Sequence, residues 1–193
     1  SKKKQNVELK HFKSTVMFDQ KQSSGPRLGC HIVFVLDESG SMSGNPWNQT
    51  LKSFEFFKRT RQNNQSVHDL VTVIQFTGSA RVIGSQCVTL SEATMGNFAS
   101  GGTSFLPAIQ LANNVFMDQK AANKTPILIM MTDGGSSDYR QAYNVIEEIN
   151  RRANNDGFTF QAHIIAAGAG ADMNAVNYMA KDDYATAHRV ENF

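Results

Sequence analysis

Cysteine is scarce. Cys30 and Cys87 are the two in 193 residues, too few for a disulfide framework or a cysteine-based zinc site. Neither charge sign dominates, since nineteen Lys and Arg against seventeen Asp and Glu leave +2. No strong field therefore recommends nucleic acid, an anionic membrane or a polyacidic substrate as partner. Long apolar runs are missing too: stretches such as Ile32–Leu36 and Ile127–Met131 fall far short of the ~20 residues that a membrane-spanning helix needs. Direct membrane insertion is not expected.

Several chemical signatures are absent as well. The chain holds no Walker A loop and no G-x-S-x-G nucleophile elbow, and no His-Asp-Ser triad can be assembled from order or motif. Gly168-Ala-Gly170 follows a strand but lacks the third glycine of a dinucleotide loop, where Met173 stands. His31, His163 and His188 fall in expected strands, where a sheet-face histidine is the default. Three N-x-[ST] sequons, at Asn48, Asn64 and Asn123, are about what chance supplies and settle no compartment.

What is present is a composition 40% hydrophobic and 19% charged, that of a globular domain. Residues 1–28 begin Ser1-Lys2-Lys3-Lys4 with no apolar segment behind the lysines, so nothing there resembles a secretory signal. They are expected to be an N-terminal extension or linker, with Val16-Met17-Phe18 the piece best suited to pack. Residues 29–193 read as one domain, part of a larger multidomain protein.

From Cys30 onward, short apolar runs alternate with amphipathic ones, the pattern of strands and crossover helices in a mostly parallel sheet. His31 to Leu36 is a continuous apolar, β-branched run of the kind a strand covered on both faces requires. Pro46 to Arg61 carries Trp47, Leu51, Phe54 and Phe57 on a helical stripe. Leu70 to Phe76 reads as a strand, and Gly78-Ser79 turns it into a short antiparallel partner at Arg81 to Ile83. Residues 85 to 100 show no clear period.

Helices are expected over 103–118, 139–154 and 172–181, and strands over 127–131, 158–167 and 184–190. Pro107 sits where a first helical turn tolerates it, and Gly157 closes the helix before it. The fold class is α/β: a doubly wound, mostly parallel six-stranded sheet with helices on both faces and one antiparallel edge strand.

The chemically informative segment is Asp37-Glu38-Ser39-Gly40-Ser41, because it follows the first buried strand directly. Loops at the carboxyl ends of such strands are where open α/β sheets bind ligands. Asp133 ends another buried strand in the same way, and Gly101-Gly102-Thr103 brings a hydroxyl to a helix start. Two carboxylates and three hydroxyls are hard oxygen donors, suited to Mg²⁺ or Mn²⁺ and poorly suited to metals that prefer thiolate. Gly40 is expected to permit a backbone conformation that aims both serine hydroxyls inward.

Asp37-x-Ser39-x-Ser41 after a buried strand, Thr103 in Gly-Gly-Thr, and Asp133 in Thr-Asp-Gly resemble the metal ion-dependent adhesion site of von Willebrand factor type A domains, which are related to integrin I domains. The resemblance spans about residues 29 to 191 with five separated ligands in the family's order. It implies that Ser39, Ser41 and Thr103 are hydroxyl ligands and that Asp37 and Asp133 bind the metal directly or through water. It further implies that Mg²⁺, with Mn²⁺ or Ca²⁺ possible, keeps a position open for the Asp or Glu carboxylate of a protein partner. Binding rather than bond breaking is the implied outcome.

Other readings attach to single residues. Asp37 and Asp133 could cap helices, and the hydroxyls could serve turns. Glu38 is expected in a solvated or rim position, Asp138 as the cap of the helix that follows it, and Trp47 against the core rather than as an exposed anchor. At the level of the chain, one alternative is a structural or scaffolding domain whose metal only orders loops. Another is a metal-dependent aspartyl-phosphate phosphatase, whose second carboxylate has its counterpart here in Ser39, a residue unable to act as acid and base near neutral pH.

Overall fold

A computed structural model describes residues 29–64, 68–168 and 170–190. The expected packing of Val16-Met17-Phe18 lies outside the described residues. Strand β1 (Cys30–Asp37), helix α1 (Asn45–Asn63), β2 (Leu70–Phe76), β3 (Ala80–Val82), β4 (Val88–Thr89), α2 (Phe105–Phe116), β5 (Thr125–Thr132), α3 (Tyr139–Asn155), β6 (Gln161–Ala167), α4 (Met173–Met179) and β7 (Ala185–Val190) follow in order. The sheet runs β3-β2-β1-β5-β6-β7, with β4 pairing β2 off this path. Strands β2, β1, β5, β6 and β7 are parallel, whereas β3 and β4 run antiparallel to β2.

The apolar runs are strands because both sheet faces are covered. Ile32, Phe34 and Leu36 of β1 face the cluster that contains Phe54 and Phe57 of α1. Both rings meet Phe34 edge to face, with centroids 5.0 and 5.2 Å away. Val33 and Val35 face the opposite cluster with Phe105 and Ile109 of α2, Ile146 and Ile149 of α3 and Val176 of α4. One alternating strand thus serves two cores.

Element ends move where local chemistry overrides the apolar pattern. β6 starts at Gln161 rather than Phe158, because Gly157 at φ +80 ends α3 and the Phe158 N–H donates to the Ala153 carbonyl at 2.8 Å. Pro126 is tolerated as the second residue of β5 because pairing with β6 begins only at Ile127. The seventh strand, β4, is two residues long and lies in the stretch whose sequence shows no period. Trp47 is buried, its ring 5.1 Å from that of Phe98.

Asp138 caps a helix, but not the one that follows it. Its side chain makes no bond to the start of α3. Instead its carboxylate accepts the Phe105 and Leu106 N–H groups at 3.0 Å each, at the open end of α2, and the Ser104 and Ser136 hydroxyls at 2.5 Å each. Burial works against ionisation here, yet the four hydrogen bonds outweigh it and hold the carboxyl below the usual carboxylate range.

Because its folded pKa is depressed, this group contributes stability above its unfolded value of about 3.9, and that contribution fades as pH falls through the lower folded value. Asp138→Ala is expected to lower stability by about 1–2 kcal/mol at neutral pH, the magnitude of a lost helix cap. Urea unfolding across pH checks this: the gap between the two proteins should close on acidification, and a gap independent of pH counts against the assignment.

Candidate metal centre

The strand order reverses direction at β1 and β5. The connection from β1 leads to β2 on one side and that from β5 to β6 on the other, which opens a crevice at their carboxyl ends. In the β1–β5 register Leu36 stands opposite Met131, so Asp37 and Asp133 leave neighbouring strands at the same end of the sheet. Asp37 has no exposed surface, Ser39 almost none, and Ser41 is exposed at the rim. Asp133 and Thr103 are half-buried.

Four of the five expected ligands form one hydrogen-bonded chain. The Ser39 N–H donates to Asp37 Oδ1 at 2.8 Å, the Ser39 and Ser41 hydroxyls lie 3.2 Å apart, and Ser41 Oγ donates to Asp133 Oδ1 at 3.0 Å. Residues Gly40–Met42 form a 3-10 turn whose first N–H groups Ser39 does not cap. That leaves the hydroxyl turned toward the site. Thr103 joins through its backbone, its carbonyl accepting Ser136 Oγ at 3.1 Å, while its hydroxyl bonds to none of the other four.

Gly40 does not adopt a left-handed backbone. It supplies room instead: a Cβ there would stand 3.3 Å from Ser100 Oγ, and its N–H reaches the Gly101 carbonyl at 2.9 Å. At Gly101 a Cβ would fall 2.9 Å from Thr77 Cβ. Both glycines let the Thr103 loop lie directly against the ends of β1 and β2.

Electrostatics single out Asp37. Burial pushes its carboxyl up, hydrogen bonds from Thr132 and Ser39 pull it down, and the charge of Asp133 raises it again. The Thr132 hydroxyl donates to Asp37 Oδ2 at 2.6 Å and is itself fixed by the Gly134 N–H at 3.1 Å. All these donors are neutral. Among the described residues, Asp37 has no basic partner.

The other deeply buried acids are treated differently. Asp69 pairs with Arg61, and Glu38, next to Asp37 in sequence, pairs with Arg81. Among the described residues no three of His, Cys, Asp or Glu converge, so the donor set at the crevice is two carboxylates with hydroxyls. That set fits a hard divalent cation, which would supply the counter-charge that the buried Asp37 carboxylate lacks. His31 lies at the opposite end of β1, bonded through Nε2 to Thr72 Oγ1 at 3.0 Å, its pKa lowered by burial to about 4.

Glu38 corrects the expectation of a solvated side chain. It points away from the crevice but inward, with no exposed surface. Its carboxylate accepts Gln75 Nε2 at 2.7 Å, the Ala99 N–H at 3.0 Å and the Arg81 guanidinium. The missed signal is long-range: Arg81 is 43 residues away and sits in the short strand beside β2.

Residues 31–193 match the von Willebrand factor type A domain family. Inter alpha-trypsin inhibitor, heavy chain 4, of Mus musculus is 27% identical over 180 residues, covering 86% of this chain but 18% of that protein's length. Among solved structures, the ArnB paralog VWA2 from Sulfolobus acidocaldarius aligns at a TM-score of 0.61 with 16% identity, over 85% of this chain and 42% of that one. An aerotolerance-related membrane protein from Bacteroides fragilis NCTC 9343 aligns at 0.55 with 18% identity, over 85% and 92%. These two share the fold. A β1 crevice at the reversal of strand order, reached by a family match that runs from His31 through the last strand, has one consistent reading: the chain belongs to the von Willebrand factor type A domain family.

Proposed function

We propose that this chain is a divalent-cation-dependent protein-binding module, in which Asp37, Ser39, Ser41, Thr103 and Asp133 hold Mg²⁺, or Mn²⁺ or Ca²⁺ in its place, and a partner's Asp or Glu carboxylate completes the coordination. The observation that carries this reading is the fully buried Asp37 carboxylate with neutral donors and no basic neighbour among the described residues. An unpaired buried charge costs several kcal/mol unless something compensates it. Domains of this family often mediate protein–protein interactions and often occur in larger proteins, which agrees with a binding role.

When bound, the cation supplies attraction for an incoming carboxylate, because only two of the five side-chain donors are anionic. The chain's own residues prepare the place. Thr132 Oγ1 and the Ser39 N–H orient Asp37, and the Ser41 hydroxyl orients Asp133. Gly40, Ser41, Ser43, Gly101, Gly102 and Gly135 are exposed, and their small side chains leave a low rim over which a partner loop has access.

The reading in which a cation only orders the loops has less to explain. Hydrogen bonds Gly40–Gly101, Ser41–Asp133 and Ser136–Thr103 already tie the three loops together. A phosphatase reading lacks its second carboxylate, since Ser39 stands there. No turnover is proposed.

Two measurements test the module. Calorimetric titration with Mg²⁺ should show uptake by the parent protein and none by Asp37→Asn, while metal-free Asp37→Asn should be at least as stable to urea as the parent, since the substitution removes an uncompensated buried charge. A parent showing neither heat nor thermal shift at about millimolar metal, well above the affinities of ordinary sensor sites, sinks the proposal. In the second, arrayed peptides bearing Asp or Glu should be retained in Mg²⁺ and released by EDTA, and their Asn and Gln counterparts ignored. Retention that survives chelation would refute a role for the cation in recognition.

A further inference from the structure

The clamp around Glu38 holds more than a buried charge. Gln75 Oε1 accepts the Gly96 N–H at 2.5 Å, and the Asn97 carbonyl accepts from both Gln75 Nε2 and the Arg81 guanidinium at 3.3 Å. Glu38 itself takes the Ala99 N–H. Further along, the Gly101 carbonyl is held by the Gly40 N–H, and the Ser104 N–H donates to the Thr77 carbonyl at 2.9 Å. The path from Gly96 to Ser104, which has no helix or strand of its own, is thus fastened at residues 96, 97, 99, 101 and 104 to groups at or just past the ends of β1 and β2 and to Arg81 of β3.

Thr103 rides on that path. Ser39 and Ser41 fix one another and Asp133, whereas the Thr103 hydroxyl has no bond to the other ligands, so the backbone alone decides where it stands. We propose that Glu38 and Arg81 form a clamp that positions Thr103, so that Glu38, whose side chain bonds Gln75, Arg81 and the Ala99 N–H and none of the five ligand side chains, is a positioning residue for the cation site that acts through the 96–104 segment. This rests on the cation-binding reading above.

Strand alternation explains how one sequence motif supplies both parts. Asp37 faces the crevice, and Glu38 turns toward β2 and β3. Glu38 is fully buried while the Arg81 side chain is 45% exposed. The clamp therefore has one end in the interior and one end at the surface. Removing the guanidinium leaves a buried carboxylate with only Gln75 and one amide to satisfy it, so the segment must shift to admit water.

The test is a double-mutant cycle on Arg81→Met and Thr103→Ala, read by calorimetric titration with Mg²⁺ and Mn²⁺, with amide hydrogen exchange of the metal-free proteins in parallel. Arg81→Met should weaken metal binding about tenfold, the lower range for residues that orient metal ligands. Thr103→Ala should cost clearly less in the Arg81→Met background than alone. Exchange at Ala99 should quicken in Arg81→Met without metal present. Equal cost of Thr103→Ala in both backgrounds, or parent-like affinity in Arg81→Met, overturns the clamp while leaving the metal reading intact.

If Arg81→Met fails to fold, Arg81→Lys, which keeps the charge and loses the fork, carries the same cycle with an intermediate loss expected and parent-like binding overturning it. A parent protein that takes up neither cation defeats the metal reading and this inference together.

Discussion

A carboxylate sealed at the end of a central strand, with neutral donors around it and no basic side chain among the described residues, is the constraint on which the rest of the crevice depends. Burying such a charge costs several kcal/mol even after relaxation, comparable to a sizeable share of a domain's net stability. Three arrangements are open to a fold in that position: an arginine, a proton or an ion from solution. At Asp69 and Glu38 the arginine is used. At Asp37 it is not, and the carboxyl is pushed up by its burial.

The pair Asp37 and Glu38 shows how little sequence separates the two solutions. Adjacent residues leave a strand on opposite sides, so one carboxylate enters the crevice between β1 and β5 and the next enters the seam with β2 and β3. The first receives neutral donors alone. The second is fully used by protein groups and orders a loop. Hydrogen bonds then link the two regions, since the Gly101 carbonyl within the clamped segment accepts the Gly40 N–H from the loop that follows β1. Glycine at 101 is needed because a larger residue would strike Thr77. Asp138 completes the frame from the far side, capping α2 directly behind Thr103.

Much of the fold is legible from order alone. The run from His31 to Leu36 is apolar because both its faces are covered; Phe54 and Phe57 of α1 recur at helical spacing because they form a buried stripe on one face of the sheet, and Tyr143, Ile146 and Ile149 of α3 because they form one on the other. The proposed ligands Asp37, Ser39 and Ser41 are legible for the same reason, being closely spaced in a loop whose position the preceding strand dictates. The buried pairing of Glu38 is not legible, because neighbour spacing says which way a side chain points and not what waits there. The role of Asp138 is equally hidden, because capping motifs are local while the N–H groups it satisfies belong to a helix more than thirty residues earlier.

Periodicity and loop position, both short-range properties of the chain, determined the α/β class, the parallel sheet and the list of oxygen donors at the ends of β1 and β5. Tertiary structure alone decided that Arg81 and Arg61 would neutralise two buried acids and leave a third to something else, that Asp138 would serve α2, and that an aperiodic stretch from Gly96 to Ser104 would be held in one path. Those outcomes depend on groups 21 to 61 residues apart in several cases. Their meeting is fixed by sheet register and by the cost of leaving a polar group unpaired in the interior, neither of which is written in any local pattern of residues.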